Sequence, residues 1–513
     1  MNSNWNKNIY RSLLILSFIG INVGLLFGIS SVWVYLNSGA DKASILHIEG
    51  GLEATYVPEI IWQNTENPGR PMEKQTLLEI QEDYLKAWYV RNVAYATNDT
   101  YGISDYYTDS LRSKLAGILQ INKEAKTKSY QTTLSHHPSL DFYSTDGTLV
   151  VFTDEQVEIY QELWQDEKLV AKKKDTSSFK VMMLLEDGFW RIRHLVTIKE
   201  ANGSTIKNKR DKNYNGIVQK SKGLNYYPSK SAWNTFGVNF NEAIISKDFS
   251  QLQEMGLNMV RIFVPYEEFG KAAVNSAKLI KLNKLLDIAD KYDIKVLVTL
   301  FDFYGNYELM DWTLTHRHAE TIVSALKDHP ALFGWDIKNE PDLDFESRTK
   351  EKVLAWLEEM IIRIRAWDPQ HPVTIGWSSA AAAPNMAKQV DFVSFHYYLE
   401  PSEFAQTYKA LRKSVGGKPI LLSEYGYSSY SGFWNLFTGS EKQQASYYEV
   451  MQAQLNKEEI PFLFWTMYDF DEVPNTVVGN LPWRKQRQKY FGIISVDGER
   501  KPAFEYLDQS GLK

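Results

Sequence analysis

Eight short apolar runs alternate with helical stretches through the second half of this chain, and that alternation limits the fold more than any other feature. The runs are Phe236–Phe240, Met259–Val264, Val296–Phe301, Leu332–Ile337, Val373–Trp377, Phe392–Phe395, Ile420–Ser423 and Phe462–Thr466. Between most of them lie helical stretches such as Ser276–Tyr292, Thr349–Trp367, Ser402–Ser414 and Glu441–Asn456. Short, near-continuous apolar runs suit strands buried on both faces, and the helices between them make those strands parallel. A segment of about 280 residues with this pattern has the size of a (β/α)8 barrel. An open doubly wound sheet shares the alternation, but no Gly-rich phosphate loop follows the first run.

Two of the runs end in an acid. In LFGWDIKNEPDL (Leu332–Leu343) the strand stops at Asn339, Glu340 and Pro341, and proline cannot continue the ladder. In KPILLSEYG (Lys418–Gly426) Glu424 follows Ile420, Leu421 and Leu422 in the same way. Each glutamate alone reads as a cap or a surface group. Two of them at strand ends of one barrel form the carboxylate pair that glycosidic chemistry uses.

The motifs around the pair carry a resemblance. The chain has GVNF at the first run, NMVRIF with Arg261 at the second and WDIKNEP at the fourth. It continues with VDFVSFHYY, holding His396 and Tyr398, at the sixth, ILLSEYG at the seventh and FLFWTMYD with Trp465 at the eighth. Over about residues 233–508 this resembles the clan A glycoside hydrolases, family 5 (the cellulase and mannanase group) most of all. Family 2 β-glycosidases share much of the layout. The resemblance implies Glu340 as acid/base and Glu424 as nucleophile of a retaining enzyme. It also implies Asn339 on a sugar 2-hydroxyl, Arg261 and Tyr398 orienting Glu424, His396 on the same strand face as Tyr398, and Trp465 as a sugar platform. One departure stands out. After the third run, where many family members carry histidine, the sequence reads FDFYG with Asp302. Trp312, Trp377 and Trp483 each read equally well as subsite or core residues. His316 and His318 are expected in a solvent-exposed loop. No metal-ligand spacing or cofactor motif is present, so neither is expected.

The amino-terminal half reads as accessory parts. Ser12–Leu36 is 25 residues without a charge, long enough to span a hydrocarbon core, and follows a short tail (residues 1–11) holding Lys7 and Arg11. This predicts a single-pass membrane anchor with the catalytic domain extracytoplasmic. Residues 37–72 read as a tether. Residues 73–198 read as a small α+β domain: an amphipathic helix through about Ala96, another near Asp109–Gln120, then strands with a Glu186-Asp187-Gly188 hairpin. The order resembles the cone-shaped domains typified by nuclear transport factor two. His136, His137 and His194 read there as surface or packing residues, and the domain is not expected to be catalytic. Residues 199–232 read as a lysine-rich linker, leaving 233–513 for the barrel.

A net charge of −6 gives no reason to invoke nucleic acid, and with no cysteine the chain forms no disulfide. The expectation is a membrane-anchored retaining hydrolase of a β-linked polysaccharide or oligosaccharide. Two alternatives stay open: a transglycosylase of the same clan, and a catalytically silent carbohydrate-binding or assembly subunit working beside exopolysaccharide-export machinery.

Overall fold

The computed structural model describes residues 18, 55–67, 70–201 and 215–510 of the chain. The charge-free stretch at 12–36 lies outside the described residues except for Phe18. Among those described, no helix is long and apolar enough to cross a membrane.

The small domain joins helices α1 (Lys74–Thr97) and α2 (Asp109–Glu124) to a five-stranded sheet in sequential order. Its strands are β1 (Glu59–Ile60), β2 (Thr127–Tyr143), β3 (Leu149–Gln165), β4 (Lys168–Glu186) and β5 (Phe189–Ala201). Strand β1 pairs parallel to β2 and the others are antiparallel. This corrects the tether over 37–72: Glu59 and Ile60 extend the sheet, Tyr56 is buried, and Trp62 packs edge-on against Phe152. Strand β2 escaped sequence reading because its residues are largely polar and Pro138 interrupts it. His136 is fully buried, with Nδ1 2.6 Å from Asp154 Oδ2 and Nε2 2.7 Å from Thr133 Oγ1, which makes it a packing residue.

Strands β6 to β13 close an all-parallel eight-stranded barrel. They are Lys222–Asn225, Met259–Pro265, Lys295–Asp302, Leu332–Asn339, Val373–Trp377, Val393–Tyr397, Ile420–Tyr425 and Phe462–Phe464. Seven of the eight runs therefore form strands. The first does not. Phe236–Phe240 lies in a loop with Val238 93% exposed, and the barrel instead begins within the expected linker, at Lys222. That strand is only KGLN, too short and too polar to show an apolar period. Gly223 fits it because a Cβ there would sit 1.7 Å from the Met259 carbonyl oxygen of the next strand. Side chains alternate inward and outward along each strand, and Met259, Leu297, Phe333, Leu421 and Leu463 form an apolar floor.

The two domains share a core. Leu134 and Tyr160 of the sheet belong to the barrel's hydrophobic cluster, and the Tyr160 ring lies 4.6 Å from that of Trp312. Lys174 Nζ lies 2.7 Å from Glu359 Oε2, and Arg363 bonds both Glu359 and Glu158. Helix α3 (Trp312–Leu326) places His316 and His318 in the interior at 2% and 0% exposure, which corrects the expectation of a solvent-exposed loop. Trp312 and Trp377 are core residues at 1% exposure each. Trp483 is half-buried, with its ring 5.7 Å from that of Trp434.

Candidate active site

Above the floor, the next inward position of β7 is Arg261, a fully buried guanidinium on an otherwise apolar strand. A buried charge needs partners for every donor. Nε and Nη2 reach Asp336 Oδ2 at 2.8 and 2.5 Å. Nη1 donates to Asn225 Oδ1 at 3.0 Å and to Glu424 Oε2 at 3.2 Å, and Nη2 donates to Asn339 Oδ1 at 2.9 Å. Asp336 is fixed in turn by Thr299 Oγ1 and by the Gly376 backbone N–H, each at 2.8 Å. Only glycine fits at 376, because a Cβ there would lie 2.6 Å from Arg261 Nη2.

The glutamates stand on this base. Glu424, near the end of β12, accepts from the Tyr398 hydroxyl at 2.5 Å as well as from Arg261. Glu340 follows the last residue of β9 in the left-handed region (φ 49°, ψ 51°), with its N–H held by the Gly376 carbonyl at 2.7 Å. A non-glycine residue there carries roughly 1–2 kcal/mol of strain, and such strain gathers at functional sites. His396 lies between them, with Nδ1 2.8 Å from Glu340 Oε1 and Nε2 3.8 Å from Glu424 Oε2. A carboxylate oxygen of Glu340, one of Glu424 and a ring nitrogen of His396 all fall within 4.8 Å of one another.

The titration of these groups follows from burial and neighbours. Burial pushes Glu424 above the usual carboxylate range; the His396 charge acts against this, and the nearby Glu340 charge adds to it. Burial works to raise Glu340 too, but the His396 hydrogen bond and charge outweigh it and hold the carboxyl low. Burial alone would lower His396, yet the two carboxylates lift it above its ordinary value. Burial beside the Glu424 charge keeps Tyr398 a neutral donor. The three clustered groups also have the donor types of a divalent-cation site. A metal there would have to displace the proton that the two carboxylates favour on His396.

Above the pair opens a cleft of about 900 Å³, and its lining includes Glu340, Glu424, Asn339, Tyr398 and Trp465. The Trp465 ring packs with Trp233, Tyr227, Phe263 and Phe470 as one aromatic wall. All seven residues singled out from the sequence thus meet at one end of the barrel. Asp302 also lines the cleft, on the β8 side.

The model of "Cellulase (glycosyl hydrolase family 5)" matches residues 220–471. The barrel is of the clan A glycoside hydrolase type and resembles family 5. Among curated proteins, the β-glucuronidase of Chlorocebus aethiops is 28% identical over 287 residues, covering 49% of this chain and 40% of the relative. The human β-glucuronidase is 27% identical over 290 residues, with the same coverage of 49% and 40%. The chain therefore spans two-fifths of the length of these relatives. Similar solved structures include an exo-β-1,4-mannosidase from Opitutaceae bacterium strain TAV5, at 20% identity and a TM-score of 0.47 over 57% of this chain and 59% of that one. A β-D-glucuronidase from Dictyoglomus thermophilum has 17% identity and a TM-score of 0.43 over 75% of this chain and 68% of that one.

Sequence reasoning missed Asn225, Asp336 and Thr299. Asp336 had a signal, since an acid inside an apolar strand needs a cation. Asn225 had none, because its strand read as linker.

Proposed function

We propose that the chain is a retaining glycosidase that cleaves β-linked polysaccharide or oligosaccharide by double displacement. The observation that carries this reading is the closeness of the two glutamates, one carboxylate oxygen of each lying within 4.8 Å of the other. Retaining enzymes hold the pair about 5–5.5 Å apart, whereas inverting enzymes need about 6.5–9.5 Å to admit a water. Glu424 is the nucleophile, since Arg261 and Tyr398 fix both its oxygens and work against burial toward its ionised form. Glu340 is the acid/base and shares one proton with His396. Its side chain is 26% exposed, so a sugar filling the cleft strips water from it and favours the neutral pair, with the proton on Glu340. That proton goes to the leaving oxygen as Glu424 attacks the anomeric carbon. Glu340 then takes a proton from the water that releases the sugar. Asn339 turns its amide oxygen to Arg261, leaving the NH2 for a sugar 2-hydroxyl.

The charge-free stretch at 12–36, preceded by Lys7 and Arg11, supports a membrane anchor with both folded domains outside the cytoplasm. Protease added to intact spheroplasts then digests the barrel, and full protection until lysis contradicts the orientation.

The leaving group tests the chemistry. Glu340→Ala slows substrates with poor leaving groups by about 10²–10⁴-fold while sparing activated aryl β-glycosides, which need little protonation. An equal loss on both removes Glu340 from the acid role. No hydrolysis of β-glucans, β-mannans, β-galactosides or β-glucuronides by the parent protein, with sugar binding retained, supports the silent-subunit alternative.

A further inference from the structure

The small domain holds a second cleft, of about 400 Å³, between its helices and one face of its sheet. The strand residues lining it recur with period two: Ser129 and Gln131, then Ile159, Gln161 and Leu163, then Lys173, Asp175, Ser177 and Phe179. One continuous sheet face therefore points into the cleft. A sheet face packed beneath helices is ordinarily apolar, yet this one is largely polar, and Ser129, Gln131 and Ser177 are only 6%, 6% and 8% exposed.

Two polar groups in this cleft have hydrogen-bonding capacity that the fold does not use. Arg91 Nε and Gln131 Nε2 are buried with no hydrogen-bond partner. The Arg91 guanidinium lies 4.5 Å from the Trp88 ring and 5.6 Å from that of Tyr95. Among the described residues it has no ion pair, whereas Lys173 is neutralised by Asp175 at 2.5 Å. Gln161 Nε2 donates to Ser129 Oγ at 2.8 Å, so those two are satisfied. The cleft thus offers one uncompensated guanidinium and one free amide donor beside Tyr95, Ile159, Leu163 and Phe179. Buried polar groups left unsatisfied keep their full desolvation cost unless a ligand or water meets them.

We propose that this cleft is a binding site for a small hydroxylated anion of sugar size, a carboxylate or phosphate held by Arg91 and Gln131. The guanidinium edge takes the anion in a fork, and the remaining polar wall takes hydroxyls. The site is separate from the barrel cleft, which shares none of its lining residues.

Calorimetric titration of the full chain with D-glucuronate, glucose 6-phosphate and glucose tests it. At least one of the two anions binds more tightly than glucose, and which one does so tells carboxylate from phosphate. Arg91→Gln weakens that binding by about 10-fold or more, as loss of a charged hydrogen bond does, without changing hydrolysis of an aryl glycoside. Gln131→Glu keeps the shape of the cleft and repels the anion, so it gives the same loss where Arg91→Gln unsettles the domain. Glucose binding as tightly as the tighter of the two anions overturns the proposal. So does anion binding that neither substitution weakens, which places the anion in the barrel, or no binding of either anion.

Discussion

Two buried clusters in this molecule are built from nearly the same parts and behave in opposite ways. At the barrel mouth, Arg261 and His396 sit with Asp336, Glu340 and Glu424. At the junction of the domains, Arg363, Lys174 and His316 sit with Glu158 and Glu359. The junction balances two cations against two carboxylates. Burial there works to raise Glu359, but Arg363 and Lys174 outweigh it and draw the carboxyl down to about 2. With no charge left to answer, burial pushes His316 down to about 3, and the imidazole stays neutral. At the mouth the one fixed cation of the cluster, Arg261, faces three carboxylates, and the negative charge of the two glutamates lifts His396 above its ordinary value. Charge balance, more than the kinds of residue present, separates a structural cluster from one able to exchange a proton.

The largest effect expected from breaking the contrast is at Glu424. Glu424→Ala removes the attacking group, and turnover falls on the order of 10⁴-fold or more while the fold and sugar binding persist. Steady-state kinetics beside circular dichroism check this, and a small added anion such as azide restores turnover of an activated substrate. The counterpart at the junction is Glu359→Gln. It leaves Lys174 and part of Arg363 without a buried partner, so unfolding measured in urea shows a loss of about 3 kcal/mol. Turnover at 25 °C is little changed.

Acidity sharpens the contrast further. The raised pKa of His396 means that the active-site proton is present below that value and lost as pH rises through it. The alkaline limb of kcat/KM therefore lies above the ordinary imidazole value of 6.5, and it moves in His396→Asn. At the junction the sign is reversed. His316 and Glu359 have folded-state pKa values depressed to about 3 and about 2, against ordinary values of 6.5 and 4.5. Their stabilisation is complete above the ordinary values and is lost as pH falls, first below 6.5 for His316 and then below 4.5 for Glu359. His316→Asn should flatten the upper part of that loss and leave the lower part. This is the smallest effect of the set, read from urea midpoints across the pH range.

The mouth was far more legible in the sequence than the junction. Glu340, Glu424, Arg261, His396 and Tyr398 each sit at the end of, or within, an apolar run, where a polar residue has few explanations. The junction joins Glu158 and Lys174 to residues 185 or more positions away, and each of them alone reads as an ordinary charge on a strand or helix. The same separation makes the small domain look detachable. The structure shows Leu134 and Tyr160 inside the barrel's hydrophobic cluster, so removing residues 73–198 would expose apolar surface and strand Glu359 and Arg363. The first barrel strand was missed for a different reason. KGLN owes its place to ladder bonds on both sides and to the missing Cβ of Gly223, and neither leaves a hydrophobic period.

The central claim is that Glu424 attacks carbon and Glu340 manages the proton. The stereochemistry of the first product tests it most directly. Proton NMR of a cleaved β-glycoside, recorded before the anomers equilibrate, should show the β-anomer of the released sugar first, because two displacements restore the starting configuration. Initial release of the α-anomer would mean a single displacement by water, and the pairing of Glu340 with Glu424 as acid/base and nucleophile would be wrong.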